Sequence, residues 1–66
     1  MSDWVIFYRD LNGRDLESPK LASKERAFAR ARDLYRQHFE INRIQGPNGE
    51  VIHREEILGW IKQNPE

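Results

Sequence analysis

The sequence predicts an α+β fold of order ββαββα, in which one long helix packs on a face of a four-stranded, mainly antiparallel sheet. Three observations support it. Two pairs of strand-like segments are each joined by a turn motif containing Asn-Gly, an amphipathic helical pattern lies between the pairs, and a shorter helical pattern follows. A chain of 66 residues has room for one core, so residues 1–66 are expected to form a single small α+β domain.

The first hairpin begins with the apolar run WVIFY, residues 4–8, and turns at Asn12-Gly13. Asn and Gly accept the positive φ angles at both central positions of a type I′ turn, so a two-residue turn is predicted here. The partner strand, RDLESPKL, contains Pro19, which has no N–H to donate. Pro19 therefore predicts an edge strand or a bulge.

The long helix is predicted to begin after Ser23, which can act as its N-cap, and to end near His38. Its apolar residues have the i, i+4, i+7 spacing of a helix with one buried stripe. That stripe is formed by Ala27, Phe28, Ala31, Leu34, Tyr35 and His38.

The second hairpin is predicted from FEINRIQ and EVIH, which flank GPNG. Pro47 suits the second position of a type I turn, and Gly49 suits the left-handed position after it. The closing segment REEILGWIKQN predicts a short C-terminal helix, softened at Gly59. One side of this helix carries Ile57, Leu58, Trp60 and Ile61.

Composition excludes several classes of protein. The chain has no cysteine, so neither disulfides nor thiolate zinc sites are available, and a reducing compartment is favoured. The run WVIFY is too short for a signal peptide or a membrane span. A cytoplasmic protein with no membrane partner is therefore expected.

The residues also resemble small bacterial domains of unknown function with a strand-strand-helix-strand-strand layout. The resemblance rests on SKERAFARARDLYRQH, on GPNGEVI and on the tryptophan-led first strand, and it covers residues 4–52. In those domains the helix opens with Ser or Thr, then Lys and Glu, followed by spaced alanines. The present chain differs in having Pro19 in the second strand. The resemblance implies the fold and no catalytic residue.

The helix of residues 23–38 is the only basic segment of a chain whose formal net charge is zero. Its arginines divide between the two edges of the apolar stripe, with Asp33 on the outermost line. This distribution favours a solvated face whose arginine stems cover the core edges. The alternative is nucleic-acid binding through Arg26, Arg30, Arg32 and Arg36.

The first strand is apolar on both of its faces. Alternation places Trp4, Ile6 and Tyr8 on one face and Val5 and Phe7 on the other. One face meets the long helix, and the other needs a cover, for which the closing helix, a second copy and a ligand are the options. The aromatic residues accordingly have three interpretations: core contacts, a partner interface, or base stacking on an open sheet.

Residues suited to catalysis or metal binding are scarce. There is no cysteine or threonine, and Ser23 is best used as a helix cap. The two histidines, His38 and His53, belong to different segments, and the HREE stretch has no further His or Cys to complete a metal site. The sequence therefore predicts no enzyme, no metal and no cofactor.

The function predicted from the sequence is a non-catalytic protein-interaction or self-association module. Its candidate interaction surface consists of Trp4, Tyr8 and Trp60. The alternative is weak nucleic-acid binding through the basic helix together with the sheet aromatics. A single surface shared by the arginines and the exposed aromatic rings would favour nucleic acid, and separate surfaces would favour a protein partner or a homo-oligomer.

Overall fold

The computed structural model describes residues 3–65 and contains the predicted elements in the predicted order. These are β1 (Val5–Arg9), β2 (Asp15–Glu17), α1 (Lys24–Arg36), β3 (Glu40–Gln45), β4 (Val51–His53) and α2 (Arg54–Gln63). The strands form one antiparallel sheet with the order β2-β1-β3-β4. The predicted α+β fold is confirmed.

Both helices lie on the same face of the sheet. The row Ile6, Ile44 and Ile52 crosses three strands and is almost completely buried. The principal helix contacts are those of α1 with β1 and β3, and those of α2 with β3, β4 and α1. The closing helix therefore does not cover the second face, which we call the open face and which carries Val5 and Phe7.

The β1–β2 connection differs from the predicted two-residue type I′ turn. Gly13 has a φ of 81°, but Asn12 is not among the residues with positive φ. The Gly13 N–H donates to the Asp10 carbonyl at 3.1 Å, the pattern of a three-residue loop with a bulge at Gly13. The reason is Asp10, whose carboxylate accepts the backbone N–H groups of Asn12 and Arg14 at 2.9 and 2.8 Å.

The β3–β4 connection also differs from its prediction, which was a type I turn with Pro47 in the second position. Asn48 and Gly49 have φ angles of 62° and 78°. The Glu50 N–H donates to the Pro47 carbonyl at 3.4 Å, so Asn48 and Gly49 are the central pair. Two positive φ angles are typical of a type I′ turn. The Asn-Gly preference therefore operates in this hairpin rather than in the first.

The second strand ends early and lies at the edge of the sheet, as Pro19 predicted. Its hydrogen bonding continues at Ser18, whose N–H donates to the Ile6 carbonyl and whose Oγ accepts the Ile6 N–H, both at 2.9 Å. Beyond Pro19 the chain rejoins β1, where Leu21 and Trp4 exchange backbone hydrogen bonds of 2.8 and 3.0 Å.

Both helices begin where the sequence predicts. The Ser23 Oγ accepts the Arg26 N–H at 3.2 Å, which confirms the N-cap. The second helix continues through Gly59 without the predicted softening, with Ile57 and Ile61 buried. Within residues 3–65, neither helix combines the length and the hydropathy that a membrane crossing requires.

The first helix ends earlier than predicted, at Arg36, and His38 lies beyond it with a φ of 69°. Phe39 N–H donates to the Leu34 carbonyl at 3.1 Å, and His38 N–H donates to the Tyr35 carbonyl at 3.0 Å. This is the Schellman arrangement that closes many helices. The prediction that Tyr35 and His38 belong to the buried stripe is wrong: His38 lies beyond the end of the helix and is exposed, and Tyr35, in the last turn of α1, is 49% exposed.

Candidate functional site

The three aromatic residues of the predicted interaction surface lie in three different environments. Trp4 is 7% exposed and its ring covers Gly46, where an added Cβ would lie 2.5 Å from it. Trp60 is partly buried and stacks on Phe28, with ring centroids 5.0 Å apart. Tyr8 lies four residues along β1 from Trp4, about 13 Å away in an extended strand. Trp4 is therefore a core residue, whereas Tyr8 and Trp60 keep part of their rings at the surface.

Arg32, one of the four predicted nucleic-acid contacts, is used inside the fold. Its Nη1 donates to the Asn64 carbonyl at 2.8 Å, and its guanidinium lies 5.5 Å from the centre of the Trp60 ring. A cation at the C-terminal end of a helix also complements the helix dipole. Arg32 therefore joins α1 to the end of α2.

The other three predicted arginines, Arg26, Arg30 and Arg36, are exposed. Arg26 and Arg36 are ten residues apart, which corresponds to about 15 Å along a helix. They are consequently spread along α1 rather than gathered at one place. Arg36 is the member of this set that borders an exposed aromatic ring, that of Tyr35.

A cavity of about 430 Å³ lies where α1 ends and β3 begins, and Tyr35, Arg36, His38 and Phe39 line it. We call it the corner cavity. The Schellman turn forms it, because positive φ at His38 reverses the chain and brings Phe39 back toward the core. Of these residues, the sequence predicted only Arg36 as a candidate contact, for nucleic acid. It predicted Tyr35 and His38 as part of the buried stripe and Phe39 as the start of a strand.

One wall of this region is supported by the sheet. Phe39 stacks on Tyr8, with ring centroids 5.6 Å apart and planes inclined by 25°. Leu16 lies opposite Tyr8 on β2 and is 38% exposed. Tyr8, which like Trp60 is partly exposed, is thus connected to the corner cavity through Phe39.

The polar groups of the corner cavity have no charged partner. Neither Arg36 nor His38 forms an ion pair within residues 3–65. Arg36 is in the last turn of α1, where a cationic side chain interacts favourably with the helix dipole. The cavity therefore combines two aromatic rings with a guanidinium and an imidazole.

The open face of the sheet is polar around a small apolar centre. The Arg43 guanidinium lies 4.1 Å from the centre of the Phe7 ring and covers it. Beside them, the Arg9 Nε donates to the Asp15 carboxylate at 3.0 Å, and this hydrogen bond raises the pKa of Arg9. Glu17 adds a further carboxylate to the row that contains Phe7. The open face therefore carries charges of both signs around Phe7.

Within residues 3–65, no group of three His, Asp or Glu side chains is arranged to hold a metal ion. Comparison of the chain with known protein families, curated proteins and solved structures finds no match.

Proposed function

We propose that the chain is a non-catalytic protein-interaction module and that its partner binds in the corner cavity. The observation that carries this proposal is Tyr35, a large aromatic residue left 49% exposed beside a concave surface. Exposed aromatic side chains next to a pocket are favoured anchors for protein partners.

The residues of the cavity define the chemistry of the partner. Tyr35 and Phe39 offer ring surface to an apolar or aromatic side chain, and Arg36 and His38 offer N–H donors to a carboxylate. A volume of about 430 Å³ is within the range of small binding pockets and suits one or two side chains. The proposed ligand is therefore a peptide segment in which an aromatic or large aliphatic residue lies next to Asp or Glu.

Nucleic acid is the alternative, and the charge distribution supports it less well. Useful affinity at physiological salt requires several phosphate contacts. Arg36 is the arginine at the cavity, whereas Arg32 is bound to the end of α2, and the chain has no net charge. A base could stack on Tyr35, but few cations are placed to hold the phosphates that follow it.

The proposal is tested with peptides of about twelve residues selected from a displayed library on the wild-type protein, whose dissociation constants are then measured by calorimetry. The Tyr35→Ser variant removes the exposed ring without touching the core. Val51→Ser removes an exposed apolar side chain from β4, which does not line the corner cavity, and is the matched control.

We expect the selected peptides to share an apolar residue beside an acidic one, and Tyr35→Ser to weaken their binding about tenfold or more while Val51→Ser does not. Equal binding by both variants would contradict the proposal. If single-stranded RNA, rather than any peptide, shifts the NMR signals of residues 34–39 in a salt-sensitive way, the nucleic-acid alternative replaces it.

A further inference from the structure

The two edges of the sheet differ in how they are protected. At the β2 edge, Asp15 and Glu17 carry charges and Pro19 follows directly, which are common devices that prevent another strand from pairing. The β4 edge, Val51–His53, contains no acidic residue, lysine, arginine or proline. Its first residue, Val51, is 43% exposed. The β4 edge therefore lacks the protection that β2 has.

Backbone groups of β4 point away from the sheet. The Gly46 N–H donates to the Glu50 carbonyl at 2.8 Å, so Glu50 and, by antiparallel alternation, Ile52 are the residues that bond to β3. The N–H and C=O groups of Val51 and His53 then face outward. His53 is the N-cap residue of α2, so its carbonyl accepts the first hydrogen bond of that helix. The His53 N–H and the Val51 carbonyl are therefore the groups most available to another strand.

The sequence around β4 is self-complementary under a two-fold axis. If two antiparallel copies of β4 meet with the axis at Ile52, Val51 lies opposite His53 of the second copy. The same register brings Glu50 near Arg54 of the second copy, twice, and these are opposite charges. Arg54 is the first residue of α2 and also forms an exposed ion pair of 3.4 Å with Glu40 of its own chain, which a second copy would have to share or replace. In this register the His53 N–H of each copy donates to the Val51 carbonyl of the other.

The side of α2 above this edge carries one partly exposed apolar residue, Leu58, among charged neighbours. Trp60 faces α1, because it stacks on Phe28. On a helical wheel Leu58 lies about 160° from Trp60, on the side away from α1, and it is only partly buried. A second copy beside β4 would cover Leu58 as well as Val51.

We propose that two copies of the chain associate through their β4 edges, antiparallel and with the two-fold axis at Ile52, so that the two four-stranded sheets become continuous. This goes beyond the proposed function, since it uses β4, which does not line the corner cavity. Each edge strand has three residues, so the contact is small. The expected dissociation constant is on the order of 100 µM to 1 mM.

Sedimentation equilibrium of charge-reversal variants tests the register. Glu50→Arg and Arg54→Glu should each weaken self-association about tenfold, because each places like charges opposite one another. An equal mixture of the two variants should recover the wild-type affinity, since the mixed dimer restores both ion pairs. Glu17→Arg, the same reversal at the β2 edge, is the control and should have no effect.

A wild-type protein that remains monomeric at millimolar concentration would overturn the proposal. So would a mixture that associates no better than its components, or an effect of Glu17→Arg equal to that of Glu50→Arg. The variants change exposed residues, and their amide spectra establish that they are folded before the masses are compared. Because Arg54→Glu also removes the ion pair with Glu40 of the same chain, Glu40→Gln, which removes that pair alone, is measured beside it and should leave self-association unchanged. Peptide binding in the corner cavity is measured separately with Tyr35→Ser, so either result can fail without the other.

Discussion

The two hairpins have edge strands of the same length that are held in place by different interactions. Both β2 and β4 contain three residues. The middle residue of β4, Ile52, is 5% exposed and packs under α2, whereas the middle residue of β2, Leu16, is 38% exposed. Burial of apolar surface therefore holds β4, and it contributes much less to β2.

Polar interactions replace burial in the first hairpin. Ser18 exchanges two hydrogen bonds with Ile6, and Asp10 accepts two backbone N–H groups in the turn. Because β2 has no fully buried side chain, local hydrogen bonds are needed to keep it in the sheet. Two other acidic residues, Asp15 and Glu17, close the edge of β2 to other strands.

The largest expected difference between the hairpins follows from Ile52 and Leu16. Ile52→Ala should lower the free energy of unfolding by about 2 to 4 kcal/mol, because it leaves a cavity in the core. Leu16→Ala should lower it by less than about 1 kcal/mol, since part of that side chain is already in water. Urea unfolding followed by tryptophan fluorescence measures both, and similar losses would show that the two strands are held alike.

The next effect concerns Gly46, at the start of the β3–β4 turn. A Cβ at this position would lie 2.5 Å from the Trp4 ring, so Gly46→Ala forces the ring or the hairpin to move. We expect a loss of about 1 to 3 kcal/mol in the free energy of unfolding, together with a shifted Trp4 indole signal. Gly59→Ala is the control, because its Cβ meets open space and should not destabilise the chain. An unchanged melting temperature for Gly46→Ala would mean that Trp4 does not pack there.

In the first hairpin the corresponding test is Ser18→Ala. The Ser18 Oγ accepts the buried Ile6 N–H, and removing it leaves that donor without a partner. The expected cost is about 1 to 2 kcal/mol, with faster hydrogen exchange at Ile6. If the Ile6 amide remains as protected as in the wild type, hydrogen bonding by Ser18 is not what holds β2 to β1.

The smallest effects are expected at the turn glycines. Gly13 and Gly49 both have positive φ and open space around them. Alanine at either position should cost about 1 kcal/mol, because positive φ is strained for a residue with a Cβ. Equal decreases in melting temperature for the two variants would show that the hairpins differ in how their strands are held and not in their turns. A loss at only one glycine would place it in the turns.

Most of the fold could be predicted from the sequence because it depends on local signals. The Ser23 cap, the apolar stripe around Ala31 and Leu34, and the edge position implied by Pro19 all act within a few residues. The turn types could not be predicted from the same signals. The Asp10 carboxylate changes the first turn, and its hydrogen bonds depend on where β1 and β2 end.

The candidate site was harder to predict than the fold. Tyr35 and His38 continue the helical spacing, so periodicity assigned them to the core. The helix ends at Arg36, before His38, and the sequence gives no signal for that end, because His38 occupies a position where Gly is usual. Trp60 was predicted at the border of an exposed patch, but stacking on Phe28 requires knowledge of how the two helices lie together.

Amide chemical shifts measured while the protein concentration is raised from micromolar to millimolar test the difference between the two edges most directly. The signals of Val51 and His53 should move with concentration, because their backbone groups pair with the second copy, whereas those of Asp15 and Glu17 should not move. Amide shifts that change with concentration only at Asp15 and Glu17, or at neither edge, would contradict the proposed pairing of two β4 edges.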